Sequence, residues 1–260
     1  MDEPLDLARV TQDAWIERVH FYNETDSTNT RGLEHAATAS EVLTELFVAE
    51  RQTAGRGRGN NRWWSDNGSL TWSVLTRTNS APPASLPQAS LTIGLAICVA
   101  VEQFTRGDVS LKWPNDVYLD GKKLAGILIE LAGSDRRRLV IGVGLNVNNS
   151  VQNAPPEVRA RATSLVDNQP VPGTMLDRTA VLVACLREIE SHLSRFENED
   201  PLLREEWRSK SLLTGRTVTL ATPKREITGV CEGLADDGAL LLRTAEGVEV
   251  CYGGVVVAFE

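Results

Sequence analysis

No two of the four cysteines, Cys98, Cys185, Cys231 and Cys251, stand close enough to form a CxxC pair, and they are scattered along 260 residues. A disulfide framework and a cysteine-based zinc site are therefore not expected. The pattern is that of a reduced, cytoplasmic protein whose cysteines serve as small core hydrophobes. Histidine is scarcer still: His20, His35 and His192 show no metal-ligand spacing, which predicts no structural zinc. Long apolar runs are missing as well. The best candidate, residues 91–101, falls well short of the ~20 residues that cross a bilayer, so no membrane association is expected. The first five residues, Met1-Asp2-Glu3-Pro4-Leu5, are acidic and lack the apolar core of a signal peptide.

Positive charge is in deficit, with a net charge of −8, and no basic stripe runs along the chain. This disfavours a general nucleic-acid-binding surface. The common nucleotide and hydrolase motifs are absent too. There is no GxxxxGK[ST]; the run Gly55-Arg56-Gly57-Arg58-Gly59-Asn60 fails GxGxxG because Asn60 stands at the final glycine, and Gly142-Val143-Gly144 fails it at Val147. Neither a P-loop nor a Rossmann site is supported, and GxSxG and HExxH do not occur.

What is present is an ordinary soluble composition with a local cationic spot. Arg51, Arg56, Arg58 and Arg62 fall within twelve residues, interleaved with Gly55, Gly57 and Gly59 and closed by Trp63. Glycine lets the backbone approach a ligand, and arginine supplies a permanent planar cation for phosphate or carboxylate. Alone, the run reads equally as a small-molecule phosphate site, a solvated loop or a single-strand nucleic-acid segment.

Taken in order, the pattern predicts an amphipathic lead-in over 1–17, a strand over 19–22 and a helix from Asp26 to about Ala37. Asp26, Ser27 or Thr28 is read as the N-cap of that helix, while the remaining hydroxyls and the Asn29 amide are also placed to face a polar ligand. Strands follow over 46–49 and 68–77, the latter with Leu70, Trp72 and Val74 on one face. Pro82-Pro83 and Pro87 mark a loop, and 86–104 reads as a helix apolar all round, hence buried. Residues 109–119 form two short strands broken at Trp113-Pro114, a candidate for a cis bond although trans is the ordinary expectation. Asp120-Gly121 turns the chain into a strand over 122–130, Arg136-Arg137-Arg138 solvates the next turn, and 139–147 completes the antiparallel set. A loop over 150–173 leads to an amphipathic helix over 174–197 capped by Thr174, then a shorter helix over 201–213. Finally, strands over 217–221, 226–231, 239–242, 247–251 and 255–259 make a small β-barrel that should lean on the rest. The fold class is α+β, a mixed and mainly antiparallel sheet with packed helices, divided as 1–213 and 214–260.

The chemistry-bearing side chains are cations, Arg56, Arg58, Lys112 and Lys123, amides, Asn29, Gln52, Asn115 and Asn146, and the carboxylate of Asp116. Such a set suits activation of a carboxylic acid by ATP. Two unit negative charges ~4 Å apart repel by about 4 kcal/mol at an effective dielectric near 20. Cations must cancel that repulsion as charge grows on the phosphorus oxygens.

At these residues the chain resembles the biotin–protein ligases. The matching segments are Asp26-Ser27-Thr28-Asn29; Gln52-Thr53-Ala54-Gly55-Arg56-Gly57-Arg58 with Trp63; Lys112-Trp113-Pro114-Asn115-Asp116; Lys123-Leu124-Ala125-Gly126-Ile127-Leu128-Ile129-Glu130; and Gly142-Val143-Gly144-Leu145-Asn146. They fall in the family's order from about residue 18 to 150, and the C-terminal strands correspond to its SH3-like domain.

The resemblance implies a class II synthetase-like ligase domain that forms biotinyl-5′-AMP from biotin and ATP with Mg2+. Biotin then passes to a lysine of a biotin carboxyl carrier protein. It implies that Ser27, Thr28, Asn29, Gln52, Arg56, Gly57, Arg58, Lys123 and Gly126 bind biotin. Gly55, Arg56, Arg58, Trp63, Lys112, Asn115, Lys123 and Asn146 are implied for ATP or the adenylate. Lys123, Arg58 and Asp116 would carry catalysis, with Asp116 serving either a metal ion or the incoming lysine. Many relatives repeat a Gly-Arg pair before the tryptophan where this chain has Gly59-Asn60-Asn61, which implies a weaker cationic hold. The match leaves no room for the DNA-binding winged helix of repressor relatives, so no DNA binding is expected. Monomer and homodimer both stay open. A lipoate–protein ligase of the same fold is the rival enzyme, and an RG-loop nucleic-acid-binding protein the rival of another class.

Overall fold

In the computed structural model, which describes residues 3–39, 43–78, 86–133 and 137–260, seven strands form one sheet. They are β1 (Arg18–Thr25), β2 (Glu45–Gln52), β3 (Leu70–Arg77), β4 (Val109–Lys112), β5 (Asp116–Leu119), β6 (Lys122–Leu131) and β7 (Arg138–Leu145). Their spatial order is β1-β2-β3-β7-β6-β5-β4. Only β1 and β2 pair in parallel, joined through helix α2 (Thr28–Thr38); the other pairs are antiparallel.

Strand alternation sorts the side chains onto two faces. Leu70, Trp72 and Val74 of β3, with Ile141, Val143 and Leu145 of β7, join the main core. Over this face lie α3 (Leu86–Glu102) and α5 (Arg178–Glu197), which pack on each other. Alpha3 buries residues all round, as its sequence predicts. Helix α1 (Leu7–Asp13) packs on α5 and is shorter than the predicted lead-in, because Asp6 caps it by accepting from Arg9 N at 3.0 Å. On the second face, α2 packs over Phe47, Leu75 and Val140. Beyond the helix, that face continues as Ser73, Gly142, Gly144, Gly126 and Leu128, and the last four floor a cavity.

After β7 come a short helix α4 (Pro156–Arg159), then α5 and α6 (Leu202–Ser209). Alpha5 begins later than the sequence predicts. Its N-cap is Asp177, whose carboxylate accepts from Ala180 N at 3.0 Å, not Thr174. The last five strands are β8 (Thr217–Ala221), β9 (Glu226–Leu234), β10 (Leu240–Thr244), β11 (Gly247–Cys251) and β12 (Val255–Phe259). They form an antiparallel sheet in the order β11-β10-β9-β8-β12. It leans on the rest of the chain as expected: Trp113 Nε1, in the turn between β4 and β5, donates to Gly238 O at 3.0 Å, Gln88 Nε2 of α3 donates to Asp236 O, and Arg208 of α6 pairs with Asp236.

All four cysteines are buried and free, and burial drives the Cys98 thiol up to about 12. The Trp113-Pro114 bond is cis. Pro87 lies inside α3 rather than in a loop, while Pro82-Pro83 and Arg136 lie outside the described residues. Arg138 does not solvate a turn; it opens β7 and donates to Ala36 O at 2.8 Å. No helix among the described residues is long and apolar enough to cross a membrane.

Candidate active site

A cavity of about 500 Å³ opens on the second face of the large sheet. Its floor is glycine. Gly126 of β6 stands opposite Gly144 of β7, and Gly142 stands two positions further on the same side. A Cβ at Gly142 would fall on Asn29 Oδ1, and one at Gly144 would fall within the Trp63 indole. The missing side chains are what admit these two residues.

One part of the lining is a network of neutral groups. Ser27 heads α2 without a side-chain capping bond, so the predicted hydroxyl cap is not made. Instead Gln52, at the end of β2, accepts from Thr28 N at 2.7 Å and does the capping through its Oε1. Asn29 Oδ1 can only accept, so the single hydroxyl proton of Ser73 goes there at 2.6 Å. Thr28 Oγ1 lies 2.8 Å from Ser73 Oγ and donates its own proton to Gln52 Oε1 at 3.2 Å, an oxygen that can only accept. Asn29 Nδ2 donates to Leu128 O at 3.2 Å and to Glu130 Oε2 at 2.9 Å. Ser27, Thr28 and Asn29 are buried.

A second part is ionic. Lys123 Nζ lies 2.6 Å from Asp116 Oδ1 and 5.8 Å from the Trp63 ring. Lys112 Nζ stands 5.3 Å from the centroids of both Tyr118 and Phe259. Burial pulls the Lys112 ammonium below its ordinary pKa, with the Asp116 charge opposing. Burial likewise lowers Arg58, again opposed by Asp116. Arg58 Nη1 reaches Asn115 Oδ1 at 3.5 Å, and Asn115 Nδ2 donates to Ile127 O at 2.5 Å.

The Gly/Arg run bridges the two parts. It is a small hairpin rather than an open loop: Gly57 N donates to Asn61 O at 2.8 Å, Asn61 N to Arg58 O at 3.2 Å and Trp63 N to Gly55 O at 3.0 Å. Gly59 turns it with a φ of 61°, and a Cβ at Gly55 would press on Trp63 O. Asn60-Asn61 thus occupies the hairpin tip and its return. Arg56 forms a bidentate pair with Glu130, at 2.9 and 2.7 Å, and so ties the hairpin to the Asn29 network.

Of the residues singled out in the sequence, Ser27, Thr28, Asn29, Gln52, Arg56, Gly57, Arg58, Trp63, Lys112, Asn115, Asp116, Lys123 and Gly126 all line this cavity. Gly55 sits behind it, under Trp63. Asn146 does not reach the lining. It is buried, with its Nδ2 donating to Thr163 O and its Oδ1 accepting from Asn149, both at 2.9 Å. Sequence reasoning missed Ser73, Gly142 and Glu130, which strand pairing brings into place. It also missed a wall from the second sheet, where Ala221, Thr222, Pro223, Gly254, Val255 and Val256 complete the lining. Away from the cavity, His20 and His35 both converge on Glu45, a convergence that their spacing in the sequence does not show.

Comparison with known proteins places this geometry. Residues 21–148 match the model of the biotin/lipoate A/B protein ligase family, and residues 213–257 match that of the biotin protein ligase C-terminal domain. The chain is 35% identical over 239 residues to the biotin–[acetyl-CoA-carboxylase] ligase of Mycobacterium tuberculosis, covering 90% of this chain and 86% of that one. It is 32% identical over 235 residues to the bifunctional ligase/repressor BirA of Bacillus subtilis, at 89% and 71% coverage. Among solved structures, the biotin protein ligase of Aquifex aeolicus in complex with biotin and ATP superposes with a TM-score of 0.78 at 34% identity, over 94% of this chain and 98% of that one. With both its sheets and its cavity-bearing segments matched, the chain belongs to the biotin/lipoate A/B protein ligase family, and within it to the biotin–protein ligases.

Proposed function

We propose that this protein activates biotin with ATP and transfers it to a lysine of a biotin carboxyl carrier protein. One observation carries this reading: a single cavity joins a neutral hydrogen-bonding network to a cluster of partly buried cations. The neutral part suits an uncharged ureido ring, which needs paired donors and acceptors. The ionic part suits a carboxylate meeting a polyphosphate.

In the first step a biotin carboxylate oxygen attacks the α-phosphorus, and pyrophosphate leaves with the electrons of the broken P–O bond. Lys123 is positioned to offset the charge shared by carboxylate and phosphate, with Arg58 and Lys112 beside it. Ser27, Thr28 and Gln52 would contact the biotin head, and Asn29 would brace them through Ser73 and Glu130. Gly57, Gly126 and Trp63 would line the space around the ligand, Gly55 would seat Trp63, and Asn115 would contact the nucleotide. Asn146, whose amide is engaged internally, would shape the nucleotide side from behind.

In the second step the ε-amine of the carrier lysine attacks the mixed anhydride carbonyl, giving an amide and releasing AMP. Asp116 is the carboxylate nearest this chemistry. Magnesium enters with ATP as part of the substrate. A lone carboxylate such as Asp116 fits it, because Mg2+ takes one or two carboxylates and fills its remaining positions with phosphate and water. We divide the chain at 213/214, the second part supplying one wall of the same cavity.

ATP–pyrophosphate exchange measured with biotin and with lipoate side by side tests the assignment. Exchange that depends on biotin and is unsupported by lipoate is the expected result. Exchange driven by lipoate alone would overturn it in favour of a lipoate ligase. Salt-sensitive binding to single-stranded nucleic acid with no exchange would overturn it altogether.

A further inference from the structure

Outside the cavity, one cluster of metal-type donors stands among the described residues. His20 on β1, His35 in the last turn of α2 and Glu45 at the start of β2 bring their donor atoms within 4.8 Å of one another. The Glu45 side chain is only 1% exposed, and each of its oxygens faces a different imidazole. Oε2 lies 2.7 Å from His20 Nε2, and Oε1 lies 2.9 Å from His35 Nε2.

We propose that His20, His35 and Glu45 bind one borderline divalent cation of the zinc type. The inference does not rest on the ligase assignment. Two imidazoles and one carboxylate are a donor set that zinc accepts, with the remaining position open to water. Bound donors on a tetrahedral zinc at ~2.0–2.2 Å stand somewhat over 3 Å apart, so small side-chain rotations convert the present contacts into ligation. The ring of His20 is held by stacking on Phe47, with centroids 4.5 Å apart, and the two histidine rings lie 5.0 Å apart. The site is therefore built on packed elements rather than on a loop. Two further features bear on charge. His35 sits at the C-terminal end of α2, where a cation gains from the helix dipole. Arg18, whose side chain is 45% exposed, stands 3.6 Å from Oε2 and adds a second cation beside Glu45.

Spacing hid this site. The three residues come from three elements, and only the parallel pairing of β1 with β2, with α2 folded across them, brings them together. A bound cation would pin the last turn of α2 to both strands. The first turn of the same helix carries Thr28 and Asn29, so the cation would steady the helix from the end remote from the cavity.

The test uses full-length, tag-free protein stripped with EDTA and free of nucleotide. Co2+ is titrated by visible absorption and Zn2+ by calorimetry. One equivalent is expected to bind with the d–d bands of a low-coordinate site, and Zn2+ should raise the melting temperature. His20→Gln and His35→Gln should each weaken binding at least ~10-fold, and the double variant should abolish it. No saturable uptake by the wild type, or uptake that survives the double variant, would overturn the proposal. Should a variant fail to fold, X-ray absorption on Zn2+-loaded wild type decides instead. Two imidazoles with oxygen support the site, and sulfur ligation would sink it.

Discussion

The two parts of the cavity solve different problems. In the neutral network nearly every proton has a named acceptor: Thr28 N reaches Gln52, Ser73 reaches Asn29, and Asn29 reaches Leu128 and Glu130. Its groups are buried or half-buried on a helix start and three strands, and they bond to one another. In the ionic part, Lys112 and Arg58 are half-buried with little direct pairing, and their ammonium and guanidinium are made less comfortable by that burial. The contrast teaches where each kind of binding energy is stored. Neutral recognition is satisfied in advance and gives geometry. Charge is left underneutralised and waits for a phosphate to complete it.

This comparison can be broken most sharply at Lys123. Lys123→Ala should leave the fold intact while lowering the rate of biotin-dependent exchange by ~10²-fold or more, as for loss of one charge-stabilising donor. Near-normal exchange would remove Lys123 from its role and blur the distinction between the two parts. The neutral network should answer differently. Asn29→Ala strips an acceptor from Ser73 and a donor from Glu130, and is expected to raise the KM for biotin by roughly 10-fold or more while costing about 1–3 kcal/mol of stability. Steady-state kinetics beside thermal unfolding separate these effects. A fall in kcat with KM unchanged would place Asn29 with the chemistry rather than with recognition.

Arg58 sharpens the boundary. Arg58→Ala should speed release of the biotinyl-adenylate by roughly 10-fold, the scale of one charge-assisted hydrogen bond. A dissociation rate equal to wild type in a stopped-flow chase would mean that the hairpin does not hold the intermediate. The smallest effect is expected at the seam between the sheets. Trp113→Phe removes the bond to Gly238 O and should cost about 1–3 kcal/mol in urea unfolding with little change in turnover. A large loss of activity without loss of stability would show that the seam acts on the cavity directly.

Much of the fold was legible in the sequence because its signals are local. Strands β8, β11 and β12 were bounded correctly by their turns, and α3 announced its burial by being apolar all round. The cap of α5 was misplaced because a threonine and an aspartate compete three residues apart, and only the chain's exit from the loop decides between them. The N-cap of α2 falls at Ser27, one of the three residues read for it, but the capping acceptor is not local. It is supplied by Gln52 from a neighbouring strand, which no local pattern encodes. Within the site, the cations and amides were visible as residue types, whereas Ser73, Gly142 and Glu130 matter only through the β3-β7-β6 register. The wall from residues 221–223 and 254–256 depends on how the two sheets meet, a long-range fact with no counterpart in periodicity.

That wall carries a consequence for how the protein comes to be functional. The cavity takes residues from Ser27 to Val256, so its closure requires contacts between segments far apart in the sequence. Loop-closure entropy makes such contacts late arrivals in folding. Partly folded or nicked chains can keep the glycine floor and the Lys123–Asp116 pair yet lack a side to the chamber. Adenylate formation would then serve as a strict reporter of complete assembly, appearing only in the last kinetic phase of refolding, after secondary structure has already returned.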